Sequence, residues 1–161
     1  MIKKILIVLL IALVVIQFFH PAKNQSTGEQ FNAVTKAYAV PKEVDDILKV
    51  SCNDCHSNNT VYPWYNNIQP VAWWLNNHVE DGKKEINFDE FASYTPKRAR
   101  KKMNAIIEQV KENVMPLNSY LWIHKNARLD DAQKQTLIKW AERLRDSIAT
   151  VNNLPPLENK R

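Results

Sequence analysis

Cys52-Asn53-Asp54-Cys55-His56 is the stretch on which the reading of this chain turns, because it places two thiols in C-x-x-C spacing with an imidazole directly after the second. That C-x-x-C-H pattern suits covalent haem attachment. Each thiol adds to one vinyl group on an edge of the porphyrin, and the following histidine is carried beneath the iron. The expectation is one haem c, held through Cys52 and Cys55, with His56 as an axial iron ligand. Three other chemistries use parts of the pattern. A thioredoxin-like pair needs a βαβ context that the sequence does not show, a cysteine zinc site needs further ligands at suitable spacing, and a plain disulfide has no use for His56.

Working outward, the flanks read as helices. Upstream, Pro41 suits a helix start, Glu43 and Asp45 favour its positive end, and Val44, Ile47 and Leu48 share one face, so a short helix delivers the chain to Cys52. Downstream, a proline-broken loop carries Tyr62, Trp64 and Tyr65. A second helix is expected over Val71 to Val79, with Gly82 ending it. Thr95-Pro96 is an N-cap and first-turn pair for a third helix to about Asn113, with Ala99, Met103, Ile106, Ile107 and Val110 on one face. Lys97, Arg98, Arg100, Lys101 and Lys102 crowd its positive end, as a solvated face or as a patch for acidic partners or anionic lipid. Asp130-Asp131-Ala132-Gln133 is a capping-box pattern opening a fourth helix, which Pro155-Pro156 stop. With two glycines and eight prolines in 161 residues, the fold class expected is all-α, a cytochrome c-like helical domain around one covalent haem.

The chain begins differently. Ile5 to Phe19 form an apolar run broken only by Gln17, preceded by Lys3-Lys4 and followed by His20-Pro21, the charge order of an export signal. Bulky residues stand where a signal peptidase needs small ones, so residues 1–21 are expected to remain as an uncleaved signal-anchor. Positive-inside logic then puts all that follows in the periplasm, on the outer side of the inner membrane. Residues 22–39 are polar and unpatterned and read as a tether, 40–151 as the haem-binding domain, and 152–161 as a C-terminal tail. The formal charge of +5 is modest, and no interleaving of basic and aromatic residues suggests a base-stacking surface, so nucleic acid is not an expected partner.

For the second axial position, Met115 is the expected ligand. It lies just past the third helix and before Pro116, outside any apolar stripe, whereas Met103 belongs to a helix face and to core packing. A thioether is a soft, neutral ligand, and a Met/His pair raises the reduction potential. His78 and His124 are rival ligands; His20 is remote from the motif. Trp64, Trp73, Trp74, Trp122 and Trp140 read as core or haem-packing residues, one or two of which cover the porphyrin.

Residues 51 to 141 also resemble the small haem-binding domain family of bacterial c-type cytochromes. The resemblance is carried by CNDCHSNNTVYPWYNNIQPVAWWLNNHVEDGKKEINF from Cys52 to Phe88, by Met115-Pro116-Leu117-Asn118-Ser119-Tyr120 and by Leu137-Ile138-Lys139-Trp140-Ala141. It implies attachment at Cys52 and Cys55, ligation by His56, and support for Met115, since the family places Met-Pro-Pro and then a tyrosine there. Leu117 replaces the second proline, which loosens the loop but leaves the ligand and Tyr120. It also implies a place for His78 near the haem. The function expected is a membrane-anchored monohaem electron carrier that exchanges single electrons with redox protein partners and has no small-molecule substrate. The competing expectations are a sensor or peroxide-reactive haem protein with a labile sixth ligand, and a haem-free disulfide module.

Overall fold

The computed structural model describes residues 1–157. The helices are α1 (Ile2–Ile16), α2 (Val34–Ala37), α3 (Lys42–Ser51), α4 (Asn53–His56), α5 (Val71–Glu85), α6 (Pro96–Lys111), α7 (Asn118–Leu121) and α8 (Asp131–Val151), with 3-10 turns at Trp64–Asn67, Phe88–Ser93 and Lys125–Ala127. The fold is all-α. Among the described residues the only β pairing is an isolated bridge between Gln25 and Asn59.

Local sequence explains the long helices. Thr95 caps α6 by accepting from the Arg98 amide, with Pro96 in the first turn. At α8 the Asp130 carboxylate accepts from the Gln133 amide at 2.8 Å, while the Gln133 side chain accepts from the Asp130 amide at 3.0 Å. These caps satisfy amides that would otherwise lack partners. The apolar stripes of α6 and α8 pack on each other, with α3 laid against α8. Met103, Ile107, Val110, Leu137, Ala141 and Ile148 meet Val44, Leu48 and Phe91 in one core. Each of the larger of these side chains, Val, Leu, Ile, Met or Phe, taken out of water, contributes about 1.5–3 kcal/mol. Trp140 is buried there too, its indole N–H donating to the Ala39 carbonyl at 3.3 Å.

Several expectations change. α5 runs through Gly82 to Glu85 rather than stopping there, for a packing reason given below. Residues 22–39, expected as a tether, lie against the domain: Val34 joins the core, and the Asn24 side-chain amide donates to the Ser57 carbonyl and the Thr60 hydroxyl, each at 2.9 Å. A polar segment can pack when its partners are hydrogen-bonding groups of another loop. The basic cluster divides. Arg100 is buried and reaches the Pro155 carbonyl, Lys102 pairs with Glu85 at 3.1 Å, and Lys97 and Lys101 face solvent. Of the expected tail, Leu154 packs on the core and residues 158–161 lie outside the described residues.

Helix α1 is exposed from Ile2 to Val15, with Ile16 half-buried and no residue fully buried. Among the described residues no helix is long and apolar enough to cross a membrane. The segment expected as a signal-anchor is a 15-residue helix followed by two turn residues, Gln17 and Phe18, too short for a membrane span to be supported there.

Candidate functional site

The α3–α4 junction bends the chain at Cys52, so that α4 presents Cys52, Cys55 and His56 within two turns. The bend is held by backbone bonds: the Cys52 amide donates to Leu48 at 3.0 Å, and the Cys55 and His56 amides both donate to Cys52, at 3.2 and 3.0 Å.

α5 crosses against this turn at Gly82. A Cβ placed there would stand 2.6 Å from the Cys55 carbonyl oxygen and 3.0 Å from its Cβ. Only a residue without a side chain allows the approach, which is why a glycine stands in mid-helix. The approach has a chemical result. His56 Nδ1 lies 2.8 Å from the Gly82 carbonyl oxygen and 3.1 Å from that of Ile86. Two carbonyls can only accept, so Nδ1 carries the proton and Nε2 keeps its lone pair for a metal. Burial lowers the His56 pKa, against the raising effect of those two carbonyls, and keeps the ring neutral.

A cleft opens beside His56 as two adjoining lobes of about 280 and 330 Å³. Ser51, Cys52, His56, Glu85 and Met115 line both. Its inner lobe is apolar, walled by Leu48, Phe88, Ile106, Val110, Leu129 and Leu137, and the outer lobe adds Cys55, Trp74, His78 and Tyr120. Lys102, 18% exposed and paired with Glu85, is the cation on this wall.

The two thiols are not joined to each other. Burial pushes Cys52 up to about 12, with the neighbouring Cys55 adding to it, and pushes Cys55 up to about 11, with Asp54 adding. With no metal bound, such thiols stay neutral at physiological pH, a state compatible with conversion to thioethers. Among the described residues no group of three or more His, Cys, Asp or Glu is placed to hold a metal ion. An apolar cleft, two thiols at its edge and a neutral imidazole with a free lone pair fit a haem.

Met115 faces the same cleft from a loop. Its amide and that of Val114 donate to the Gln109 carbonyl at the end of α6, at 3.2 and 2.9 Å. On the far side of the loop, the Tyr120 hydroxyl donates to the Asp54 carboxylate at 2.7 Å. Burial first, and then the bond to Asp54, raises the Tyr120 pKa far above its ordinary value, so the phenol remains a donor. Asp54 also accepts from the Val61 amide at 3.0 Å, so this residue inside the C-x-x-C-H motif ties the motif to both neighbouring loops.

Of the rival ligands, His78 lines the outer lobe, with Nδ1 donating to the Trp74 carbonyl at 2.8 Å and its ring 4.2 Å from the Trp74 ring. His124 does not line the cleft. It stacks on Tyr120 at 4.2 Å and meets the Tyr65 hydroxyl at 3.1 Å, in a neighbouring cavity. Among the tryptophans, Trp74 reaches the cleft. Trp64 lines only the neighbouring cavity and is 76% exposed; Trp73 lines neither, and Trp122 is exposed. Haem packing by Trp64 and Trp73, expected from the sequence, gains no support from these positions.

Gly82 reads in the sequence only as a helix stop, and Asp54 has no assigned role there. An isolated glycine in an otherwise helical pattern was a usable signal, since such positions often mark close packing; nothing local marked Asp54.

No curated protein and no solved structure matches the chain. The model of a family described as haem-binding domain matches residues 11–143, which includes every residue of the cleft. With the match and the cleft in agreement, the chain belongs to the haem-binding domain family.

Proposed function

We propose that this haem-binding protein is a monohaem c-type cytochrome that passes single electrons between protein partners. The observation that carries the reading is the pair of bonds from His56 Nδ1 to the Gly82 and Ile86 carbonyls, which leaves Nε2 free in a cleft shared with both cysteines and Met115. Haem, when bound, supplies the one-electron couple. Cys52 and Cys55 would hold it by thioethers, His56 and Met115 would serve as its iron ligands, and Lys102 would offer a positive charge to a propionate. The apolar wall of Leu48, Phe88 and Leu137 excludes water, which disfavours the more highly charged oxidised state and raises the potential.

We assign α1 to membrane attachment, with Lys3 and Lys4 on the cytoplasmic side and the cleft on the periplasmic side of the inner membrane. Support comes from a helix that is apolar all round from Ile5 and exposed as far as Val15. A second reading, a sensor or peroxide-reactive protein, is favoured by one feature: Met115 stands on a half-exposed loop, with Leu117 where a second proline would stiffen it.

A redox titration with spectra of both states tests the proposal. The electron carrier should show one reversible one-electron wave and a near-infrared Met-to-Fe(III) band that disappears in Met115→Ala. Rapid CO binding by the reduced wild type would overturn it in favour of the second reading.

A further inference from the structure

Helix α1 does not end in a free hinge. Gln69, 1% exposed, receives it: the Gln69 amide donates to Gln17 Oε1 at 2.9 Å, Gln17 Nε2 donates back to the Gln69 carbonyl at 3.2 Å, and Gln69 Nε2 donates to the Phe19 carbonyl at 2.6 Å. The remaining Gln69 oxygen accepts from the Trp73 amide at 3.3 Å, and His20 meets the Asn67 carbonyl at 3.3 Å. A buried amide with all these partners is costly to release. The helix and the corner at residues 64–70 therefore move together.

Around this joint stand large apolar side chains in water: Phe18 at 81%, Phe19 at 61%, Trp64 at 76% and Ile68 at 45% exposed. We infer that this corner is a bilayer-docking surface, with Phe18, Phe19, Trp64 and Ile68 seated in the headgroup layer of a phospholipid membrane. The inference rests on the membrane reading of α1 and deepens it. Charge complementarity favours lipid over a protein partner. Residues 5–22 carry no Asp, Glu, Lys or Arg and are bracketed by Lys3-Lys4 and Lys23, so the cations fall at the two levels where phosphates lie. A partner helix would cover one stripe of α1, whereas lipid covers all of it. Length then draws the domain down. Fifteen residues rise about 22 Å against a hydrocarbon core of about 30 Å. Both lysine ends can meet phosphate only if Gln17 to Phe19 enter the membrane too, and the hydrogen bonds to Gln69 bring the corner with them. Tryptophan, with an apolar ring and one N–H, suits that level.

The test is fluorine NMR of the full haem-loaded chain, labelled with fluorotryptophan, in phospholipid nanodiscs with and without a nitroxide lipid labelled just below the headgroup. The Trp64 resonance is assigned by its loss in Trp64→Phe, and buried Trp140 is the internal control. The nitroxide should broaden the Trp64 line several-fold and leave Trp140 unchanged. Discs that retain the protein but leave Trp64 as sharp as Trp140 would overturn the docking surface while sparing the membrane reading. Failure to co-elute with discs would overturn both, and a lipid-free dimer that alone perturbs Trp64 would assign the corner to a second copy.

Discussion

The two walls of the cleft hold their candidate iron ligands by different means. On one wall, His56 is set by backbone: a tight turn at Cys52, a glycine contact with α5, and two carbonyls that fix the ring and its tautomer. On the other, Met115 sits on a loop held at one end by the Gln109 carbonyl and at the other by a single phenol–carboxylate bond, Tyr120 to Asp54. The first wall is built from helices whose own ladders support it. The second depends on a few hydrogen bonds, each worth about 1 kcal/mol, or somewhat more to a charged acceptor. The lesson is that attachment and proximal ligation should survive changes that release the distal ligand.

Substitutions on each wall can break that asymmetry. The largest effect is expected from Cys52→Ala/Cys55→Ala, which should abolish covalent haem, read as loss of haem staining on a denaturing gel. Met115→Ala should keep the stain but lose the methionine band and lower the potential, because the softer ligand that favours Fe(II) is gone. Gly82→Ala sharpens the proximal side. At an ordinary mid-helix site the change would stabilise by up to about 1 kcal/mol. Here the new Cβ meets Cys55 oxygen at 2.6 Å, and a loss of about 2 kcal/mol is expected in urea unfolding. Gly28→Ala, whose nearest neighbour is 4.0 Å away, should change stability by less than about 0.5 kcal/mol. Tyr120→Phe removes the bond to Asp54 and should cost about 1.5 kcal/mol. It should also speed displacement of Met115 by added imidazole while covalent haem stays at wild-type level; an unchanged displacement rate would show that the phenol does not hold the loop.

The smallest effect concerns acid. In the haem-free protein the folded-state pKa of His56 lies below the ordinary 6.5, so the unfolded chain takes up the proton first. Stability contributed by the neutral ring is present above that value and declines as pH falls through it. Urea midpoints of the haem-free chain should therefore drop below about pH 6.5, and His56→Gln should flatten that part of the profile.

Much of this was readable in the sequence where the determinant is local. The Thr95 and Asp130 caps and the stripe of α6 each lie within a few residues, and each appears in the structure as read. What depends on distant partners was not readable. Gly82 looked like a helix stop because its crowding comes from Cys55. Residues 22–39 looked like free chain because their partners, Ser57 and Thr60, are polar loop groups. Gln17 looked like a blemish in an apolar run, and it is half of the joint with Gln69. The exposure of Trp64 was likewise not readable, since composition gives a ring's affinity for apolar surroundings but not how much of it the fold leaves in water.

The central claim is that Cys52 and Cys55 carry one haem by covalent bonds. Its most direct test is the intact mass of the denatured chain after expression with haem-attachment machinery. The expected result is the chain plus one haem, unchanged in Met115→Ala and absent in Cys52→Ala/Cys55→Ala. A wild-type chain at its unmodified mass, with haem released on denaturation, would contradict the account.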